Sequence, residues 1–534
     1  MEDILENDII PLVPLRGSIS ASGDLSPLSY IAGTITGNPR IRVLSSQRIH
    51  DRPLSADFAL AAHGLKPLSL QSKEHLGLLN GTAFSAAVGG LALFDAIQLA
   101  LLVQICTAMS TEALTGSKGS FDPFIHDIAR PHPGQIEVAA VVLDVLGTSR
   151  LAIDPRQRGE KSVDEDKGTL KQDRYSLRTA PQFIGPQIED IHAALLAVQQ
   201  ELNSTTDNPL IESGTAAIHD TGNFQAMAVT NAMEKTRLSL HHLGKILFAQ
   251  ATELMDPRTS KGLPPSLAAT DPSLDYHCKG LDIALAAYMA ELGYLANPVS
   301  THIQSAEMHN QSVNSLALIS ARATVVSLEV LTMIVATSIY ISCQAFDLRA
   351  MDTTLKEGFK QIISQSYKSQ LDPTNSLWPG LLSSLLSAFN SSFFENPKKD
   401  TEDRVNIAVR AIGCTLMEYA FRGSPTQPIL FVGTLPKFQE EIQSLCRNFI
   451  QEIREKFLKS EAESLPTSGL LGKSRFMYEY VRKDLGIRMR GLENLNGFDK
   501  GLNVTEPTVG ENVSLIYEAI RDHKMQGVLN QILH

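Results

Sequence analysis

The chain has 534 residues, with 58 Asp and Glu against 47 Lys and Arg, giving a formal net charge of −11 at pH 7. That length exceeds the roughly 100–200 residues of one domain and implies a large core with at least one appended or inserted unit. The 43% hydrophobic content excludes disorder throughout, and the acidic balance argues against a nucleic-acid surface, which needs clustered Lys and Arg.

The chain opens on an acidic segment, Met1-Glu-Asp-Ile-Leu-Glu-Asn-Asp, without the basic-then-apolar order of a signal peptide. Gly and Ser then crowd the first 40 residues. Helical periodicity predicts long helices near 86–114, 185–202, 232–254, 281–295 and 311–349. The stretch 86–109 has about the ~20 residues needed to span a bilayer, but Asp95, Gln98 and Gln104 would be costly in lipid, so a buried bundle helix is expected. The 311–349 stretch is apolar around much of its circumference (Val313, Leu316, Leu318, Ile319, Val325, Val326, Leu328, Val330), which requires burial on several sides. Polar loops are expected at 156–171, 204–223, 257–279 and 298–310, and such loops on a rigid helical scaffold are where chemistry sits. From about 351 to 470 the composition shifts to Ser/Leu-rich and charged segments, read as an inserted helical unit. Closing helices follow 471. β-type alternation is scarce, so the fold class is mainly α. The five cysteines (Cys106, Cys278, Cys343, Cys414, Cys446) are widely spaced, with no CxxC or Cys/His cluster. That pattern predicts free thiols, a reducing cytoplasmic compartment and no metal site.

The strongest chemical signal is Gly17-Ser-Ile-Ser-Ala-Ser-Gly-Asp-Leu-Ser-Pro, with Ala21-Ser22-Gly23 at its centre. A bare Ala-Ser-Gly is ordinarily a loop. In a tight turn, however, the side-chain-free Gly23 can bring its nitrogen onto the Ala21 carbonyl carbon. Ring closure with loss of two waters would turn Ser22 into a dehydroalanine within 4-methylideneimidazole-5-one (MIO), an electrophile made from the chain itself. Asp24 and Pro27 would hold such a turn under strain.

Further segments extend the pattern. Lys73-Glu-His-Leu76-Gly-Leu-Leu-Asn80-Gly-Thr supplies an Asn amide able to orient an amine and polarise a carbonyl. Gln172-Asp-Arg-Tyr175-Ser-Leu-Arg178 places Tyr175 and Arg178 one helical turn apart, and Arg178 can grip a carboxylate with a bidentate fork. Asp207-Asn208-Pro209 and Asn223-Phe224-Gln225 follow. In Lys279-Gly-Leu-Asp-Ile283 the Lys and Ile share a helical face, and Gln304-Ser-Ala-Glu307-Met-His-Asn-Gln311 adds a carboxylate and an amide. His309, His241 and His242 have no metal-like partners in the sequence and read as structural.

These segments, in this order and over nearly the whole chain, resemble the aromatic amino acid ammonia-lyases, nearest to the fungal phenylalanine ammonia-lyases. The resemblance implies an aspartase-like long-helix bundle with an inserted helical shielding domain. It divides the chain into a remnant of the ring-cofactor domain (1–85), a long-helix core (86–350), the shielding domain (351–470) and returning C-terminal helices (471–534). It implies MIO formed from Ala21, Ser22 and Gly23 with no external cofactor, Asn80 and Tyr175 as catalytic residues, and Leu76, Gln172, Arg178, Asn208, Phe224, Lys279, Ile283, Glu307 and Gln311 as substrate-binding residues. The implied reaction is non-oxidative deamination of L-phenylalanine to trans-cinnamate, in a homotetramer whose sites are built from three subunits, with no nucleic-acid or membrane partner.

In the family a long segment precedes the ring motif and carries a Tyr that acts as base. Here Ala21 lies 20 residues from the start and the first Tyr is Tyr30, so no residue maps onto that base and an N-terminally shortened form is expected. The alternatives the sequence leaves open are a non-catalytic family member, a tyrosine ammonia-lyase or an aminomutase.

Overall fold

Apolar residues recurring every three or four positions, with few interior breakers, produce long helices at Ala83–Ala113, Ala180–Leu202, Met227–Met255, Lys279–Leu295 and Ala317–Gln370, and again at Thr401–Arg422 and Pro428–Lys459. The computed structural model describes residues 1–45, 52–157, 172–371, 380–422, 428–459, 466–491 and 507–534. Most of the charged 156–171 loop lies outside these residues. The mainly α fold is the one expected, and the described strands are short.

Helix Ala317–Gln370 departs from expectation at both ends. It begins at Ala317 rather than 311 because Leu316 adopts a left-handed φ of +53° and cannot propagate a helix from the residues before it. It runs on to Gln370 because Met351, Leu355, Phe359 and Ile363 continue a buried i, i+4 stripe through the shift in composition. The shift in composition at 350/351 therefore falls inside this helix. Ala180–Leu202 also starts earlier than expected and tolerates Pro186 in its second turn. Its Gly185 approaches the Pro133–Leu146 helix so closely that a Cβ would lie 2.5 Å from the Gln135 nitrogen.

Two helices, Ala83–Ala113 and Ala317–Gln370, are long and apolar enough to cross a membrane by length and composition. In this fold Leu93, Ala96, Val103 and Ile105 of the first, and Ile334, Val335, Ile339 and Phe346 of the second, are buried core residues.

Contacts divide the chain into two compact units, Met1–Ala100 with Pro186–His242 and Ala290–Leu331, and Leu101–Gly185 with Leu243–Met289 and Thr332–His534. In the first, strands Ile10–Pro11, Arg42–Leu44 and Leu54–Ser55 form an antiparallel sheet in which Ile10 pairs Leu44 and Val43 pairs Leu54. Ile4, Ile9, Val43, Ala56, Ala59 and Leu60 make a small core beneath it. The 204–223 loop contains a hairpin, Leu210–Glu212 with Ala217–His219, in which Ile211 pairs Ile218.

In the second unit, helices Leu381–Phe394, Thr401–Arg422 and Pro428–Lys459 gather with the far part of Ala317–Gln370 around Phe359. Its ring lies 5.0 Å from those of Phe389 and Phe393 and 6.3 Å from Phe449, mostly edge to face. Buried Asp347 ties in the C-terminal part, accepting from Arg482 Nη2 at 2.7 Å, Tyr478 at 2.5 Å and Thr467 at 2.8 Å.

Candidate active site

The turn through Ala21-Ser22-Gly23 is set by backbone geometry first. Gly23 has a φ of +72° and lies against Gly81, itself at +111°. A Cβ on Gly23 would fall 2.0 Å from the Gly81 carbonyl oxygen, so a side chain there requires the backbone to move. That same carbonyl accepts the Asp24 N–H at 2.8 Å. Behind Gly81 stands Thr206, whose hydroxyl oxygen accepts the Thr82 N–H at 3.1 Å. Asn-Gly-Thr at 80–82, a plain turn when read alone, is thus one wall of the site.

Asp24 is fully buried. One carboxylate oxygen accepts the Ser85 N–H at 2.7 Å, in the first turn of Ala83–Ala113, and the other accepts the Ser20 hydroxyl at 2.9 Å. A carboxylate gains from a helix N-terminus. Burial nevertheless outweighs the bonds from Ser85 and Ser20 and moves the Asp24 pKa up from the ordinary carboxylate value. On the opposite side, the Ser20 carbonyl accepts the Ser315 hydroxyl at 2.7 Å, and the Ser20 hydroxyl oxygen accepts the Leu318 N–H at 3.1 Å, in the first turn of Ala317–Gln370. Two helix N-termini therefore reach the residues on either side of the tripeptide.

Ala21 and Gly23 are buried, while Ser22 between them stays partly exposed. Its hydroxyl oxygen accepts from Gln311 Nε2 at 3.1 Å. With the Asn80 amide turned so that both ends are satisfied, its nitrogen donates to the Ser22 carbonyl at 3.2 Å and its oxygen accepts the Asn208 N–H at 3.3 Å. Asn208 is anchored in turn, its side-chain oxygen accepting the Thr221 N–H at 2.8 Å. Lys73 pairs with Asp207 at 2.9 Å and donates to the Asn208 carbonyl at 3.3 Å. Gln311 is presented by a tight loop in which the Ala306 and Gln311 backbones exchange hydrogen bonds at 3.2 and 3.1 Å. Upstream of it, Glu234 accepts the Val299 and Ser300 N–H groups at 2.7 Å each.

The structure thus brings Ser22, Asn80, Asn208 and Gln311 together. Glu307 accepts from the Asn310 amide at 3.1 Å in the same loop as Gln311. Leu76 sits on the short Glu74–Leu79 helix and is 39% exposed, and partly buried Phe224 precedes Met227–Met255.

The remaining predicted residues belong to the second unit. Tyr175 and Arg178 share the one-turn helix Tyr175–Arg178, as their spacing predicts. The guanidinium lies 5.0 Å from the Tyr175 ring centroid, and Nη1 donates to Gln172 Oε1. Ser176 beneath them donates to Glu253 at 2.5 Å and accepts Gln250 Nε2 on its carbonyl at 3.0 Å, which locks the turn. Lys279 and Ile283 lie on Lys279–Leu295, with the Lys279 ammonium 5.2 Å from the Tyr276 ring centroid. The cysteines are free thiols, and among the described residues no group of three or more His, Cys, Asp or Glu could hold a metal.

Sequence reasoning missed Ser20, Gly81, Ser85, Thr206, Ser315 and Leu318. The Asn-Gly dipeptide was a local signal for Gly81. Ser20 lies inside the Gly17–Pro27 motif, four residues from its partner Asp24. For Ser85, Thr206, Ser315 and Leu318 there was no local signal, because their contacts join residues 61 to 298 positions apart.

Chemically, the cradle fits a ring closed between Ala21 and Gly23. Position 23 has no space for a Cβ, the turn is gripped at both ends, and the Ser22 hydroxyl remains reachable. Comparison with known proteins points the same way. The family model described as aromatic amino acid lyase matches residues 1–367. Phenylalanine ammonia-lyase 1 of Pleurotus ostreatus is 51% identical, over 99% of this chain and 72% of that protein. The phenylalanine ammonia-lyase of Flammulina velutipes is 53% identical, over 99% of this chain and 73% of its own length. Among solved structures, phenylalanine ammonia-lyase from the yeast Rhodosporidium toruloides superposes with a TM-score of 0.90 at 43% identity, covering 100% of this chain and 79% of that one.

Proposed function

Since the chain belongs to the aromatic amino acid lyase family, we propose that it eliminates ammonia from L-phenylalanine to give trans-cinnamate. The observation that carries this reading is the gripped Ala21-Ser22-Gly23 turn with Asn80 and Gln311 on Ser22. The names of the relatives favour phenylalanine lyase over the tyrosine lyase, aminomutase and non-catalytic alternatives.

The tripeptide condenses to MIO with loss of two waters, one as the Gly23 nitrogen adds to the Ala21 carbonyl and one from the Ser22 hydroxyl. Once formed, that group supplies an electrophilic carbon that makes departure of the substrate nitrogen feasible. The chain's own residues bind and orient. Arg178 holds the substrate carboxylate in a two-pronged, charge-assisted grip that Lys cannot copy. Tyr175 and Gln172 fix its guanidinium. Asn80 and Gln311 hold the two oxygens of Ser22 in place before closure, and Asn208 backs Asn80. Glu307 offers a carboxylate to the substrate ammonium, and Leu76, Phe224, Lys279 and Ile283 keep the substrate-binding roles that the family likeness implies. The leaving β-proton is not acidic and needs a positioned base.

A homotetramer in the cytoplasm completes the reading. Tyr175 at 70%, Ile283 at 65% and Val313 at 73% exposure are apolar or aromatic surfaces suited to cover by further copies. The test is tryptic mass analysis of peptide 17–40 together with a cinnamate assay on L-phenylalanine and L-tyrosine. A peptide lighter by two waters and cinnamate release are expected. An unmodified peptide with no product would overturn the reading.

A further inference from the structure

Ser20 is 1% exposed and holds a left-handed φ of +47°, a conformation that costs a non-glycine residue free energy. Its side chain explains why that conformation persists. The hydroxyl donates to Asp24 Oδ1 at 2.9 Å and accepts the Leu318 N–H at 3.1 Å, so both its donor and an acceptor site are used. The residues between Ser20 and Asp24 are Ala21, Ser22 and Gly23 and no others. The bond therefore closes a loop around the three residues that must condense.

We propose that Ser20 is a positioning residue for ring formation. Its hydroxyl staples the turn shut across the tripeptide and hands the load to the N-terminus of Ala317–Gln370. Asp24 is tied to Ala83–Ala113 through Ser85, so the staple joins two long helices through one hydroxyl. Shortening the span from residue 20 to residue 24 brings the Gly23 nitrogen toward the Ala21 carbonyl carbon. The condensation itself consumes nothing but the two departing waters, and Ser20 is unchanged by it. This inference rests on the proposed MIO chemistry.

The experiment compares wild type, Ser20→Ala and Ser20→Gly by the mass of peptide 17–40 after timed synthesis, with thermal melting as the measure of folding. Glycine suits the left-handed φ better than serine does, so Ser20→Gly relieves the backbone while removing the hydroxyl. Both variants are expected to form the two-water-lighter peptide at least about tenfold more slowly than wild type, on the scale of a lost hydrogen bond that leaves a buried donor behind. Ser20→Gly should do so while melting as a folded protein. Ring formation at the wild-type rate in folded Ser20→Gly would show that only the backbone matters and would overturn the staple. An unmodified wild-type peptide would instead overturn the MIO reading, and the staple with it.

Discussion

Around Ala21-Ser22-Gly23 the structure is written in backbone atoms: glycines at positive φ, a carbonyl 2.0 Å from where a side chain would begin, and N–H groups of helix first turns received by Asp24 and Ser20. Around Phe359 it is written in side chains, with rings of Phe389, Phe393 and Phe449 meeting edge to face at 5.0–6.3 Å. The first region leaves no room for a side chain at position 23. The second supplies burial and accepts adjustment of shape. The contrast predicts that each region can be perturbed with limited effect on the other.

The largest expected effect tests the first half of that contrast. Ser22→Ala should lower kcat by roughly 10³-fold or more, the scale on which removal of a covalent reacting group acts, while thermal melting stays near wild type. Gly23→Ala comes next. Its Cβ collides with backbone, not with a movable side chain, so peptide 17–40 should keep its full mass and the protein should lose about 1–3 kcal/mol. Phe359→Ala addresses the second region and should cost about 3–5 kcal/mol in denaturant unfolding. The folded fraction should still carry the lighter peptide. If it does not, the two regions are not separable.

Smaller effects sharpen the picture. Arg178→Lys should raise KM for the substrate by about 10–100-fold, since a charge-assisted pair of bonds becomes a point contact. His277 gives the smallest effect at neutral pH. It is bonded to Tyr340 at 3.1 Å, and burial drives its pKa from 6.5 to about 3. Below pH 6.5 the unfolded chain takes up a proton that the native state refuses until about pH 3. Stability should therefore fall as pH drops through that window and be flat above it. Melting of His277→Gln across pH 3–8 should show a shallower acid decline.

Much of this was legible in the sequence, and what was not has a physical reason. Helices announce themselves because apolar residues must fall on one face, so Lys279–Leu295 lay close to its expected span. The start of Ala317–Gln370 was hidden because an apolar run does not reveal that Leu316, itself apolar, turns left-handed. Its continuation was hidden because a change in overall composition masked the 351, 355, 359, 363 stripe. In the site, Ser22, Asn80, Asn208 and Gln311 stand in recognisable local segments, and the fold brings them together. Ser20 stands in such a segment too, but nothing local marks Leu318 as its partner; their bond exists only once the chain has folded.

That bond has a consequence in time. It joins residues 298 positions apart. At about 5–20 residues per second of synthesis, Leu318 is made about 15–60 s after Ser20. Throughout that interval Ser20 and Asp24 are both present, but the helix N-terminus that anchors the Ser20 hydroxyl is not. On the proposed MIO chemistry, completion of the staple waits for Leu318, and a nascent chain halted before that residue is expected to keep an unmodified Ser22.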